Sequence, residues 1–256
     1  DDGAAIDQTK EDGATPLYEA CEKGQVDAVR LLLDYGAEVD RTVEKGKWKG
    51  ATPLLVACYA GHVDAARLCL DKRADINLAD DDGWTPLFSA CRNGHGDAVR
   101  LLLDKGAEVD FANKNGATPL YIACKNGHVD AARLLLDCGA GTEGANEAGA
   151  TPLFIACQNG HVDVVRMLLD KGAEVDRATE SGVTPLYIAC QKGHLDAARL
   201  LLEKGAEVDR ADKKGSTLLF VACQNGHVDV VRMLLDKGAE VDRATESGVT
   251  PLYIAC

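Results

Sequence analysis

Apolar residues fall in two short blocks that recur along the chain, and one unit shows how each block is built. Gly116 and Ala117 close a turn, and Thr118 follows as a helix N-cap whose hydroxyl can accept an orphan backbone N–H. Pro119 stands at the first helical position, where a missing N–H costs nothing. The run from Leu120 to Lys125 predicts a short, largely apolar helix, and Asn126-Gly127 stops it because both residues tolerate the left-handed conformation. A second helix is predicted next. Asp130 sits in its first turn, and Val129, Ala131, Ala132, Leu134, Leu135 and Leu136 give it a broad apolar face. Gly139 ends it, and extended residues with Gly and Asn lead on as a hairpin-like loop. Neither helix is long enough to persist alone. Each has to bury its face against neighbours.

The same blocks repeat. Thr-Pro-Leu begins at Thr15, Thr52, Thr85, Thr118, Thr151, Thr184 and Thr250, and Thr-Leu-Leu takes its place at Thr217. The first spacing is 37 residues and all later ones are 33, with all 7 prolines in this motif. A fixed period of this kind predicts stacking of like units. The expected fold is therefore mainly α, an α-solenoid of helix-turn-helix repeats with hairpin-like loops and no continuous sheet. Residues 1–256 are expected to form a single domain with seven complete repeats and partial repeats at both ends. Gly3-Ala4-Ala5-Ile6-Asp7 resembles the tail Gly36-Ala37-Glu38-Val39-Asp40, and the sequence stops at Cys256 inside an eighth first helix, so a piece of a longer array is expected. Ala156–Cys190 and Ala222–Cys256 are identical, which suggests duplication of a two-repeat block.

The units read GATPLYIACKNGHVDAARLLLD from Gly116 and GVTPLYIACQKGHLDAARLLLEKGAEVD from Gly182. This pattern resembles the ankyrin repeat, and the likeness covers essentially the whole chain. The resemblance implies a curved stack whose concave face, made of loop tips and first helices, binds partners. The chain departs from the family in one regular way. The family usually has His directly after Thr-Pro-Leu, whereas Tyr18, Leu55, Phe88, Tyr121, Phe154, Tyr187, Phe220 and Tyr253 stand there. Aromatic packing is expected to replace the family's Thr–His hydrogen bond. Arg73 occupies the place of a helix-ending Gly, where a left-handed backbone would cost about 1–2 kcal/mol. Glu19 and Ser89 replace the apolar Val56, Ile122, Ile155, Ile188 and Val221.

Charge narrows the partner class. The net charge of −13 repels phosphate backbones and anionic membranes, so nucleic-acid binding and membrane adhesion are disfavoured. No apolar run approaches the roughly 18 residues of a membrane helix, and no signal peptide is read at the start.

Histidine and cysteine are the tempting ligands, and their placement argues against a metal. All six histidines, His62, His95, His128, His161, His194 and His227, fall at one repeat position after the Gly between the helices. A row disperses ligands, whereas zinc needs about four converging on one point. Each His is expected to anchor the turn between its own two helices. Eight cysteines, Cys21, Cys58, Cys91, Cys124, Cys157, Cys190, Cys223 and Cys256, form a second row on the first helices. Packed helices lie about 8–10 Å apart and a disulfide wants Cα atoms within about 7 Å. Buried, reduced thiols are expected along this ladder, consistent with an intracellular, cytoplasmic or nuclear, compartment. Cys69 and Cys138 lie off the ladder, and Cys138 is the expected exposed thiol. No N-glycosylation sequon occurs.

No catalytic constellation emerges. The acids of Asp27-Arg30-Asp34 and Asp163-Arg166-Asp170 read as i,i+3 and i,i+4 pairs with Arg on a solvated face. There is no nucleophile elbow or phosphate loop. The chain is read as no enzyme, with no catalytic residues, no cofactor, no metal and no small-molecule substrate. It is read as a scaffold for another protein. The alternative is a regulatory or targeting segment of a larger enzyme or channel whose active domain lies elsewhere.

The sharpest candidate for a docking surface lies where the repeats differ. The 37-residue spacing puts about four extra residues around Val43–Gly46, followed by Lys47, Trp48 and Lys49. Tyr59 takes the helix site held elsewhere by Glu22, Arg92, Lys125, Gln158, Gln191 and Gln224, and Trp84 follows Asp80, Asp81 and Asp82 on the next loop. Both tryptophans thus fall on adjacent loop tips with Tyr59 and Arg92 behind them. Aromatic and Arg residues dominate binding hot spots. The competing expectation is that Trp84 packs on a neighbouring loop and the insertion is tolerated.

Overall fold

A computed structural model describes residues 6–254. Cys256 and the segment 3–5 lie outside the described residues. The elements are fifteen helices among the described residues: α1 (Pro16–Glu22), α2 (Val26–Asp34), α3 (Pro53–Ala60), α4 (Val63–Asp71), α5 (Pro86–Asn93), α6 (Gly96–Asp104), α7 (Pro119–Lys125), α8 (Val129–Asp137), α9 (Pro152–Asn159), α10 (Val162–Asp170), α11 (Pro185–Lys192), α12 (Leu195–Glu203), α13 (Leu218–Gln224), α14 (Val228–Asp236) and α15 (Pro251–Ile254). Among the described residues the only β pairing is an isolated bridge, Ala211 to Thr217, so no sheet forms.

Each first helix starts as its threonine dictates. The hydroxyl oxygens of Thr15, Thr52, Thr85, Thr118, Thr151, Thr184 and Thr217 each accept the backbone N–H three residues on, at 3.1–3.2 Å. The residue donating that N–H is the one that replaces the family's histidine, and its side chain is buried in each of those repeats. The helices stop at left-handed glycines such as Gly61, φ 78. Second helices close in the same way, with Ala37 N–H donating to Leu32 O at 3.0 Å around Gly36.

The chain divides into two compact units. In the first, residues 1–123 with 130–140, α3 packs between α1 and α5 and against α4. It is buried from Pro53 through Cys58, which is why its sequence is apolar on every side rather than on one stripe. The second helices form an outer layer, with α4 against both α2 and α6. In the second unit, 124–129 with 141–256, α11 packs between α9 and α13, and α12 between α10 and α14. Leu17, Leu54, Leu87, Leu153 and Leu186, one per first helix, are essentially fully buried, each worth roughly 1.5–3 kcal/mol.

Three polar ties run between repeats. The acid ending one repeat accepts a backbone N–H of the next: Asp40 from Asp75 at 3.0 Å, Asp176 from Glu207 at 3.1 Å and Asp209 from Glu240 at 2.8 Å. Loop tips also join directly, with Asp81 N–H donating to Lys49 O and Lys114 N–H to Asp82 O. The third tie is histidine. The expectation that each His anchors its own turn is corrected: the Nε2 atoms of His95, His161, His194 and His227 reach the carbonyl oxygens of Tyr59, Lys125, Gln158 and Gln191, 36 positions earlier, at 3.0–3.1 Å. The row works because equivalent turns lie side by side.

The helix-face ion pairs are corrected too. Asp34, Asp71 and Asp170 pair with Lys72, Lys105 and Lys204 of the following repeat, at 3.0, 3.5 and 2.8 Å. Adjacent second helices bring the lysine just beyond one helix beside the last acid of the other. The Lys204 ammonium, with a smaller contribution from Arg166, holds Asp170 below the usual carboxylate range.

Candidate functional site

The insertion before repeat two is a closed turn. In every other complete loop the backbone closes on itself over four positions, as Asp80 N–H to Trp84 O at 3.1 Å and Asn113 N–H to Ala117 O at 2.9 Å. Here Val43 N–H closes on Ala51 O at 3.0 Å, eight positions on, so the four added residues bulge between the same two anchors. Most loops brace the turn with a side chain at the first anchor; Asp80 Oδ1 accepts from Asp82 and Trp84 N–H. Val43 has no acceptor to offer. Its side chain is buried instead, and Gly50 N–H returns to Val43 O at 2.8 Å.

This turn carries Lys47, Trp48 and Lys49. The Trp48 ring meets Tyr59 of α3 edge-on, centroids 4.6 Å apart, and Lys47 Nζ lies 5.3 Å from the Trp48 ring centre. On the next loop Trp84 packs on Phe88 of α5 at 5.6 Å, and the Arg92 guanidinium covers it at 4.3 Å. The two groups are joined. Lys49 Nζ lies 2.7 Å from Asp81 Oδ2, and this pair lowers the Asp81 pKa and raises that of Lys49. From α5 and the turn after it, Asn93 Nδ2 donates to Tyr59 O at 2.6 Å and His95 Nε2 meets the same oxygen at 3.0 Å. Asp82 is exposed, and its backbone binds Asp80 and Lys114.

All eight residues singled out in the sequence therefore occupy one region of the first unit. Both tryptophans are half-buried, each against an aromatic ring of its own repeat. Trp84 packs on its own first helix. Asn93 was not singled out and His95 was read only as an anchor of its own turn, although the recurring Asn-Gly-His at 93–95, 126–128, 159–161 and 225–227 carried the signal. Among the described residues no group of three or more His, Cys, Asp or Glu side chains is arranged to hold a metal ion.

The family model for ankyrin repeats (3 copies) matches in overlapping windows across the chain, at 2–80, 42–113, 69–143, 107–179, 141–212 and 210–256. The chain belongs to the ankyrin repeat family. Among solved structures it is similar to the ankyrin repeat domain of human ASB11, with a TM-score of 0.79 and 30% identity over 89% of this chain and 99% of that one. No curated protein matches it significantly. Ankyrin repeats are in general protein–protein interaction modules, and the fold is typically non-catalytic. Among the described residues of this ankyrin array no helix is long and apolar enough to cross a membrane.

Proposed function

We propose that this chain is a non-catalytic scaffold that binds another protein through its face of loop tips and first helices, and that Lys47, Trp48, Lys49, Tyr59, Asp81, Asp82, Trp84 and Arg92 form the contact. The repeats of residues 1–256 serve as one ankyrin-repeat domain in this reading. The observation that carries it is the half-buried pair of tryptophans, each backed by a second aromatic ring and flanked by a cation, on adjacent loops linked by the Lys49–Asp81 pair. Such a patch offers large, rigid apolar area with a charged rim, the arrangement that concentrates binding energy. Its rings are held in place before a partner arrives, which lowers the ordering cost of association. The partner surface that fits has apolar anchors ringed by both charge signs. A net charge of −13 favours a protein over nucleic acid. The cysteine ladder fits a reducing, intracellular compartment.

A photo-crosslinking residue tests the face directly. Placed at Lys47 or Asp82 it should yield a discrete adduct with the partner protein, and placed at Glu22 or Gln191 it should not. Adducts from Gln191 alone would move the contact away from this patch.

A further inference from the structure

One second helix differs from the rest. Leu32, Leu102, Leu135, Leu168, Leu201 and Leu234 hold the seventh position of α2, α6, α8, α10, α12 and α14, whereas α4 has Cys69. Cys69 is fully buried, and its sulfur lies 3.6 Å from that of Cys21 on α1, which is also fully buried. Two sulfurs in van der Waals contact have no atom between them. The exchange of Leu for Cys gives up apolar volume in a packed site, and what it supplies is a facing thiol. Cys58 of α3 is a near third thiol, and its proximity to Cys69 adds to the burial that opposes its ionisation.

We propose that Cys21 and Cys69 are a latent disulfide, closed by a two-electron oxidant of the peroxide class, that fastens the first helix of repeat one to the second helix of repeat two. In the first step a cysteine sulfur attacks the peroxide. An S–O bond forms, the O–O bond breaks, and the departing hydroxide leaves as water with the thiol proton. The product is a sulfenic acid. In the second step the facing sulfur attacks the sulfenic sulfur. The S–S bond forms, the S–O bond breaks, and the hydroxyl leaves as water with the second thiol proton. Two thiols and one peroxide thus give one disulfide and two waters, with two electrons passing from sulfur to oxygen.

Geometry favours the second step more than the first. The sulfurs have to close from 3.6 Å to about 2 Å. Burial slows the first attack, and the Cys21 thiol is held in the neutral form chiefly by its contact with Cys69 and then by desolvation. Once a sulfenic acid forms, its resolving partner is already in contact. The link closes a loop of 48 positions, so it constrains the unfolded chain and strengthens repeats one and two. This inference does not depend on the binding surface.

The test uses the full chain carrying Cys138→Ser, which removes the exposed thiol found among the described residues. The protein is treated with hydrogen peroxide under native conditions and again in denaturant below its unfolding midpoint, where buried groups are reached faster. Unreacted thiols are alkylated, and unreduced peptides are read by mass spectrometry. The expected result is a Cys21–Cys69 linked peptide, reversed by dithiothreitol, and a thermal midpoint raised by about 5 °C. The further variant Cys69→Leu restores the residue of the other repeats and should form no link and show no midpoint shift. Cys21 and Cys69 both alkylated in both conditions, a link to Cys58 instead, or the same loss of two thiols in Cys69→Leu would each overturn the proposal.

Discussion

His95 Nε2 lies 3.0 Å from the carbonyl oxygen of Tyr59, so the histidine after one turn holds the end of the preceding first helix. Its ring lies over the intervening glycine of that repeat: a Cβ on Gly61 would come within 2.6 Å of His95 Nδ1. The glycine is therefore required twice, by φ 78 and by the ring that covers it. His95→Ala should lower stability by about 1–2 kcal/mol, since it removes one of the two side-chain hydrogen bonds to the Tyr59 carbonyl and the packing of the ring on Gly61. Gly61→Ala should cost at least as much. Chemical denaturation of both variants measures this, and an unchanged midpoint for either would contradict the tie.

Arg73 has φ 68, the left-handed value expected from its place in the repeat, where glycines elsewhere stand. Its backbone N–H still closes the helix end onto Leu70 O at 2.9 Å. Arg73→Gly should therefore raise stability, by about 1 kcal/mol. A lower unfolding midpoint for this variant would show that the arginine side chain does more than tolerate its position.

The thiols should separate into classes. Cys138 is exposed and should react first with a thiol reagent. Cys223 is only half-buried, which corrects the expectation that it would be as slow as the rest of the ladder. Cys58, Cys124, Cys157 and Cys190 should wait for unfolding, burial having pushed Cys190 up to about 12 and the others higher still. Timed alkylation with peptide mapping gives the order. Labelling of Cys157 as fast as Cys138 would refute it.

In the chain of 256 residues, α15 packs on α13 and leaves Leu252 and Tyr253 about three-quarters exposed. Backbone amides of Tyr253 and Ile254 should exchange far faster than those of Leu135 and Leu136, which are buried in α8. Equal protection in hydrogen exchange would contradict this packing.

Within one repeat nearly everything was legible. Thr118 before Pro119, the Asn126-Gly127 stop and the Gly139 stop each act through their own backbone, so a single sequence displays them. What links one repeat to another was less legible. The His95–Tyr59 and Asp34–Lys72 ties depend on stacking register, which no single unit contains. Cys69 was seen as an irregularity, but its partner is Cys21 on a helix 48 positions away and not the neighbouring ladder thiol. The sequence placed the tryptophans on adjacent loops, but the rings they pack on were not legible in it. Tyr59 and Phe88 lie on helices whose exposed sides are known only once the repeats are stacked.

The most direct test of the scaffold reading is an affinity comparison on the isolated partner protein by calorimetry. Trp48→Ala and Trp84→Ala should each weaken binding by about 2 kcal/mol or more with helicity by circular dichroism unchanged, and Gln158→Ala and Gln191→Ala should change it much less. Equal losses at all four positions, or no loss at either tryptophan, would contradict the account.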